Sequence, residues 1–309
     1  MSVPGVAGPM SASSCNHLTE EEPEGRQARS TWASIWLRLR RNRVAMVGLA
    51  FILFIIGLAV LGPSLYPRSP TEIDLINRYA LPSLQTPLGT DESGRDVLAR
   101  VMHGSRISLS VGLLAAGLSV ALGSLVGCLA GYFGGAVDHL LMRFTDGLLS
   151  IPIFFLLLVV VTLLGSTVSN VILALGLTRW MGVARLVRGE VLRYRAMGFI
   201  MAARSVGARD RRIMFAHLLP QASPSIIVAA TLGMARVILV ESSLSYLGLG
   251  VQPPTATWGN MLSNSQNYIW NAPQLALYPG LLILLTVLAF NALGDGLRDA
   301  LDPFMIGRN

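Results

Sequence analysis

The chain has 309 residues, 52% of them hydrophobic and only 13% charged, with 24 basic residues against 17 acidic and a net charge of +7. A soluble domain carries about a quarter charged residues, so this composition, with a mean hydropathy of +0.57, excludes an ordinary soluble globule and points to several membrane crossings. The arginines cluster beside apolar runs and form no stripe with interleaved aromatics, which excludes a nucleic-acid surface.

Residues 1–30 are rich in Ser, Gly, Pro and Glu and bury too little apolar surface to offset the entropy of ordering, which predicts a disordered tail. The first apolar run begins only at Val44, too deep for a cleaved leader, and is expected to stay as an anchor. Before it, Trp32, Trp36, Leu37 and Leu39 with Arg38, Arg40, Arg41 and Arg43 predict an amphipathic lead-in that keeps the N-terminus on the cytoplasmic side. Residues 44–62 are uncharged and long enough to cross a ~30 Å apolar core. Pro63, Pro67 and Pro70 are expected to end this first span. A polar loop follows to Arg106, with Asp91, Arg95, Asp96 and Arg100 alternating in sign between two glycines. Lead-in, span and loop form one unit, residues 31–106, and the loop either packs as an outer lid or meets a delivering protein.

Residues 107–133 are a second uncharged run, dense in small residues such as Gly112, Ala115, Gly123 and Gly127. Small residues let helix backbones approach closely in lipid, so this span is expected inside the bundle, and Cys128 with it. Cys128 and Cys15 in the tail sit in different environments and predict no disulfide or metal framework. His139 has no second ligand nearby and reads as a surface histidine in a short connection with Asp138 and Arg143. The uncharged stretch 147–178 is too long for one crossing and divides at the polar break 165–170. It predicts span three at 148–164, kinked by Pro152, and span four at 171–187, with Arg185, Arg188, Arg193 and Arg195 emerging on the inside.

Residues 201–220 carry Met201, Ala202-Ala203, Gly207, Arg209 and His217-Leu218-Leu219-Pro220, with Arg204, Arg211 and Arg212 against the single acid Asp210. Two short alanines leave the backbone approachable, Gly207 can adopt positive φ, and Pro220 is expected to close the segment. This spacing resembles the EAA loop of ABC importer permeases, and its His-x-Leu-Pro ending is similar to the dipeptide, oligopeptide and nickel branch. The one departure is Met201, where that family usually has Glu. Three further blocks also resemble the family: 88–109, 241–262 with Trp258-Gly259-Asn260, and the closing stretch from Asn291 to Pro303.

Span five is expected at 222–240 and contains Arg236, with Glu241 just beyond. Ionisable groups at membrane depth are costly and face a bundle interior or a watery path. A five-residue offset turns about 140° around a helix, so these two are expected to find partners on other helices. They read either as a gate or solute contact, or as structural ion pairs. Residues 251–274 hold no basic residue, as expected of an outer segment, and span six is expected at 275–293.

The resemblance implies an all-α membrane protein of six transmembrane helices with the type I importer permease fold. Residues 107–300 would form the five-helix permease core, with the coupling loop at about 190–220 and residues 301–309 a cytoplasmic C-terminus. It further implies a C-type subunit that pairs with a homologous second permease, binds two cytoplasmic ATPases through a coupling helix, and receives solute from an external binding protein. Without lysine the chain has no Walker A motif, so ATP and Mg would belong to the partner ATPases, and no cofactor or metal site is expected here. Di- or oligopeptide is the expected solute by family frequency; nickel, glutathione or another small solute is the alternative. A stand-alone secondary transporter would need an embedded ion site or an inverted repeat, and neither is evident.

Overall fold

The computed structural model describes residues 31–301. The tail at 1–30 with Cys15, and residues 302–309, lie outside them. Among the described residues every regular element is helical. α1 (Thr31–Arg41) and α2 (Arg43–Leu65) are separated by Asn42, which caps α2 by accepting a hydrogen bond from the Ala45 amide at 3.1 Å. Leu39 of α1 is buried, while Trp36 and Leu37 are exposed. Pro63 was expected to end the first span, yet it lies inside α2. A proline costs a helix one hydrogen bond, whereas leaving the helix in lipid would orphan several backbone groups.

The loop from 66 to 96 is ordered by charge. Asp91 accepts from Arg95 Nε at 2.7 Å and lies 3.4 Å from Arg100 Nε, and Glu92 accepts from Arg95 at 2.6 Å. Asp96 caps the next helix through the Ala99 amide and accepts from the Tyr66 hydroxyl at 2.5 Å. Burial, then the hydrogen bond and charge of Asp96, push the Tyr66 phenol up to about 12, so it remains a donor across the physiological range. Gly94, at φ +75°, lies so close to the Asp74 carbonyl that no side chain fits.

α3 (Val97–Phe133) is 37 residues long and ends at Gly134, which has positive φ. α4 (Gly135–Leu149) and α5 (Ile153–Leu164) meet at an 88° bend. The kink expected at Pro152 is a full break, because Pro152 is extended at ψ 123° and disfavours helix in the residue before it. α6 (Val168–Arg195) starts at a Thr167 cap, and α7 (Gly198–Ser205) is a short helix. α8 (Asp210–Arg212), a π-helical stretch (Ile213–Leu218) and α9 (Leu219–Tyr246) run on as one rod from Asp210 to Tyr246. α10 (Trp258–Ser265) begins in a Thr257–Asn260 capping box, and α11 (Gln274–Leu301) ends the described chain. α2, α3, α6, the rod and α11 are each long and apolar enough to cross a membrane, and the bent α4–α5 pair makes a sixth crossing when taken as one. Except for α5, the helices outrun the expected spans because the polar residues flanking the apolar runs are helical too.

α3 is the centre, packed on α6, α9 and α2. Its Gly123, Gly127 and Gly131 form a ladder at four-residue spacing, met by α6 backbone at the same spacing. A side chain at Gly123 would come within 2.7 Å of the Trp180 carbonyl, one at Gly131 within 3.0 Å of the Arg188 carbonyl, and one at Gly127 into the Ala184 carbonyl. From the other side, Gly176 of α6 leaves room for Leu118. The interior position expected for this small-residue span is thus explained by backbone contact.

Gly127→Leu would drive a side chain into α6 backbone, and overpacking of this kind costs about 1–3 kcal/mol or more. The melting temperature of the purified protein in detergent is expected to fall by several degrees, while Gly117→Leu, whose site is open, leaves it unchanged or higher. Equal effects at both glycines would contradict the ladder.

Candidate docking loop and central cavity

The segment after α6 is a helix-stop motif built by its sequence. Ala208 N–H donates to the Ala203 carbonyl at 3.0 Å, and Gly207 N–H donates to the Arg204 carbonyl at 2.9 Å. With Gly207 at φ +80°, this is the double hydrogen bond of a Schellman ending, in which the residue four after the third-last helical position must be left-handed. The alanine-to-glycine spacing read from the sequence is therefore the spacing of that motif. Nothing lies within 4 Å of a side chain at Gly207, so backbone conformation alone fixes the glycine.

α7 is seated by one residue. Ile200 is 1% exposed and packs with Cys128, Tyr132, Val187, Val191, Ile213, Met214 and Leu218. Its other face is open: Met201, Ala202, Ser205 and Val206 are exposed, and Ala203 is half-buried. Arg204, late in α7, and Arg209, Arg211 and Arg212, which follow it in the chain, are all exposed. The loop is tied to α3 by a residue that sequence reasoning missed. The Tyr132 hydroxyl donates to Asp210 Oδ1 at 2.5 Å, and the Arg204 guanidinium lies 5.2 Å over the same ring.

Pro220 does not close the segment. The π-helical turn makes Leu219 N–H donate to the Met214 carbonyl five residues back, and this wider turn clears the carbonyl that a proline ring would strike. Pro220 is exposed, His217 and Leu219 are half-buried, and the fully buried residue is Leu218. Nearby arginines read only as orientation signals are in fact paired. Arg188 makes two bonds to Asp138, at 2.5 and 2.6 Å, and Arg185 meets Asp146 at 2.5 Å.

A cavity of about 700 Å³ opens between α3, α6, α9 and α11. Arg236 lines it, as do Arg179, Arg193, Arg298 and Glu190. Glu190 accepts from the Ser225 hydroxyl at 2.6 Å and lies 3.7 Å from Arg193. Arg179 and Glu190 were missed, although an arginine in the middle of an apolar run was signal enough. Glu241 lies elsewhere: it is wholly buried and does not line the cavity. It accepts from Ser245 at 2.8 Å and from Ser242 and Ser108 at 3.5 Å, and Ser108 in turn accepts from the Trp258 amide at 3.2 Å. The carboxylate so knits α3, α9 and α10 through hydroxyls, with no arginine bound to it among the described residues.

Known proteins extend these observations. The family described as the binding-protein-dependent transport system inner membrane component matches residues 123–307, and the N-terminal TM domain of oligopeptide transport permease C matches residues 30–87. The dipeptide transport system permease protein DppC of Alkalihalophilus pseudofirmus is 41% identical over 276 residues, 89% of this chain and 91% of that one. DppC of Bacillus subtilis is 42% identical over 87% of this chain and 84% of its own. The glutathione transport system permease protein GsiD of Escherichia coli is 43% identical over 91% of this chain and 93% of its own. Among solved structures, an inward-facing MetNI methionine ABC transporter has a TM-score of 0.53 at 21% identity, covering 66% of this chain and 96% of that one; that likeness is one of fold.

Gly207→Ala forces a side chain into left-handed backbone at about 1–2 kcal/mol. Hydrogen exchange at the Gly207 and Ala208 amides is expected to quicken about tenfold, and less with Gly207→Asn, which tolerates that conformation. Unchanged exchange in the alanine variant would contradict the motif.

Proposed function

The chain belongs to the inner membrane components of binding-protein-dependent transport systems, and from that premise we propose that it imports di- or oligopeptides as the C-type half of a permease heterodimer. A homologous second permease supplies the other wall of the path. Two cytoplasmic ATPases, which bind ATP and Mg, dock on the exposed face of α7, and an external binding protein delivers solute. The assembly sits in the bacterial inner membrane with both termini in the cytoplasm, so that the arginine-rich loop faces the ATPases.

The observation that carries this reading is the build of α7. One buried residue, Ile200, anchors it and a left-handed Gly207 stops it, so Met201, Ala202 and Val206 stay exposed as a small apolar surface, with exposed arginines following in the chain. Met201, Ala202, Ala203, Gly207 and Arg209 are the contact set, whereas His217, Leu219 and Pro220 shape the π turn inside the rod. An apolar Met201 at the place of the family's usual Glu calls for an apolar counterpart on the ATPase. Closure of the ATPases on ATP displaces α7, and the Tyr132–Asp210 bond and the Ile200 contact pass that displacement to α3 and the rod.

The peptide assignment follows the two DppC relatives. Glutathione is the second reading, favoured by the 43% identity to GsiD; it is itself a small γ-linked peptide.

Ala202→Trp is expected to abolish copurification of the ATPases in mild detergent and to cut solute-stimulated ATP hydrolysis more than tenfold, with membrane insertion unchanged. Tyr132→Phe, which keeps the ring and loses the bond to Asp210, retains the ATPases but lowers solute moved per ATP. Full stimulated hydrolysis in Ala202→Trp would refute docking at α7.

A further inference from the structure

Arg179 and Arg236 reach the same cavity from α6 and the rod, inside helices long enough to cross the membrane. A charge at that depth is costly unless it is paired or meets a watery path. Among the described residues no carboxylate pairs with either arginine, and their like charges act on each other. The acids that might have served are engaged elsewhere. Glu190 is held by Ser225 and Arg193, and Glu241 is sealed among hydroxyls with no exposed surface. Four arginines against one glutamate line a space of about 700 Å³, within the range of roughly 300–1,000 Å³ that takes a small organic ligand.

We propose that Arg179 and Arg236 form a carboxylate-binding station on the solute path, so that this subunit itself selects solutes with a free carboxylate. The planar guanidinium matches a carboxylate in shape and stays charged at every physiological pH. A cleft in which arginines outnumber acids four to one also raises the local concentration of anions, and clefts of one sign do so by about ten- to a thousandfold. Apolar wall residues such as Val228 and Leu232 leave room for varied side chains, so the station reads the feature common to all peptides and ignores the rest. It rests on the importer reading for its role in transport, but not for its affinity for anions.

Two measurements on the assembled importer separate these claims. With Cys15 and Cys128 replaced by serine, Val228→Cys places a thiol on the cavity wall. Its rate of modification by anionic sulfonatoethyl methanethiosulfonate, divided by that with the cationic trimethylammonium-ethyl reagent, is expected to exceed the ratio for free cysteine. Arg179→Gln with Arg236→Gln lowers that ratio about tenfold or more, and lysine at both positions restores it to within about threefold. A ratio equal to that of free cysteine, or unmoved by the glutamines, would overturn the proposal and show that an acid of the second permease already neutralises the pair. In proteoliposomes, uptake per captured solute of dialanine is expected to fall at least tenfold in the double glutamine variant, and that of dialanine amide less than threefold. Equal losses for both would overturn carboxylate selection. If the unaltered importer moves neither compound, the peptide reading fails, and the thiol ratio still decides whether the cavity binds anions.

Discussion

The close approach of α3 and α6 governs everything else in this fold. In lipid no hydrophobic drive pulls two apolar helices together, so contact depends on backbone reaching backbone, and Gly123, Gly127 and Gly131 supply that reach. Once α6 lies in this groove, Arg188 donates two hydrogen bonds to Asp138, and Val187 and Val191 share a buried cluster with Tyr132. Those side chains form the socket for Ile200, so the seat of α7 is a consequence of three missing methyl groups some turns away. The same pairing sets Ser119 and Val120 of α3 beside Arg179 and Gly182 of α6 along one wall of the cavity.

The second organising fact is that the loop and the cavity share a helix. The rod from Asp210 to Tyr246 holds the tether to Tyr132 at its start, Arg236 on the cavity wall and Glu241 near its end. At 1.5 Å per residue, Asp210 and Arg236 are about 39 Å apart along it. The Glu241 hydroxyl cage fixes the distant end to Ser108 and to the turn before Trp258. In the proposed reading, a pull on α7 acts on a lever held at its far end, and Arg236 between is the part that moves relative to Arg179 on α6.

Much of this was legible in the sequence, and the misses share a cause. The apolar runs located the crossings, the small residues located the interior helix, and the alanine-to-glycine spacing located a helix stop. Prolines mislead: Pro63 and Pro220 look like helix ends in the sequence, but a single lost hydrogen bond is cheaper than an unpaired backbone near lipid, and a π turn accommodates Pro220. Pro152 erred the other way and breaks its helix by 88°. Contacts between distant residues left no trace in local pattern. Tyr132 and Asp210 are 78 residues apart, and nothing in either neighbourhood pairs them. Glu241 invited an ionic partner, whereas three serine hydroxyls, each unremarked in an apolar run, surround it.

The central claim is that the exposed face of α7 is where force enters the membrane helices. Disulfide trapping tests it most directly, with Cys15 and Cys128 removed, a cysteine in place of Met201, and cysteines scanned across the surface of the copurified ATPase. Efficient trapping at one groove of the ATPase, with yield that changes between ATP-bound and ATP-free states, is the result this account requires. Trapping from a cysteine in place of Trp270, in the loop before α11, and none from position 201 would contradict it.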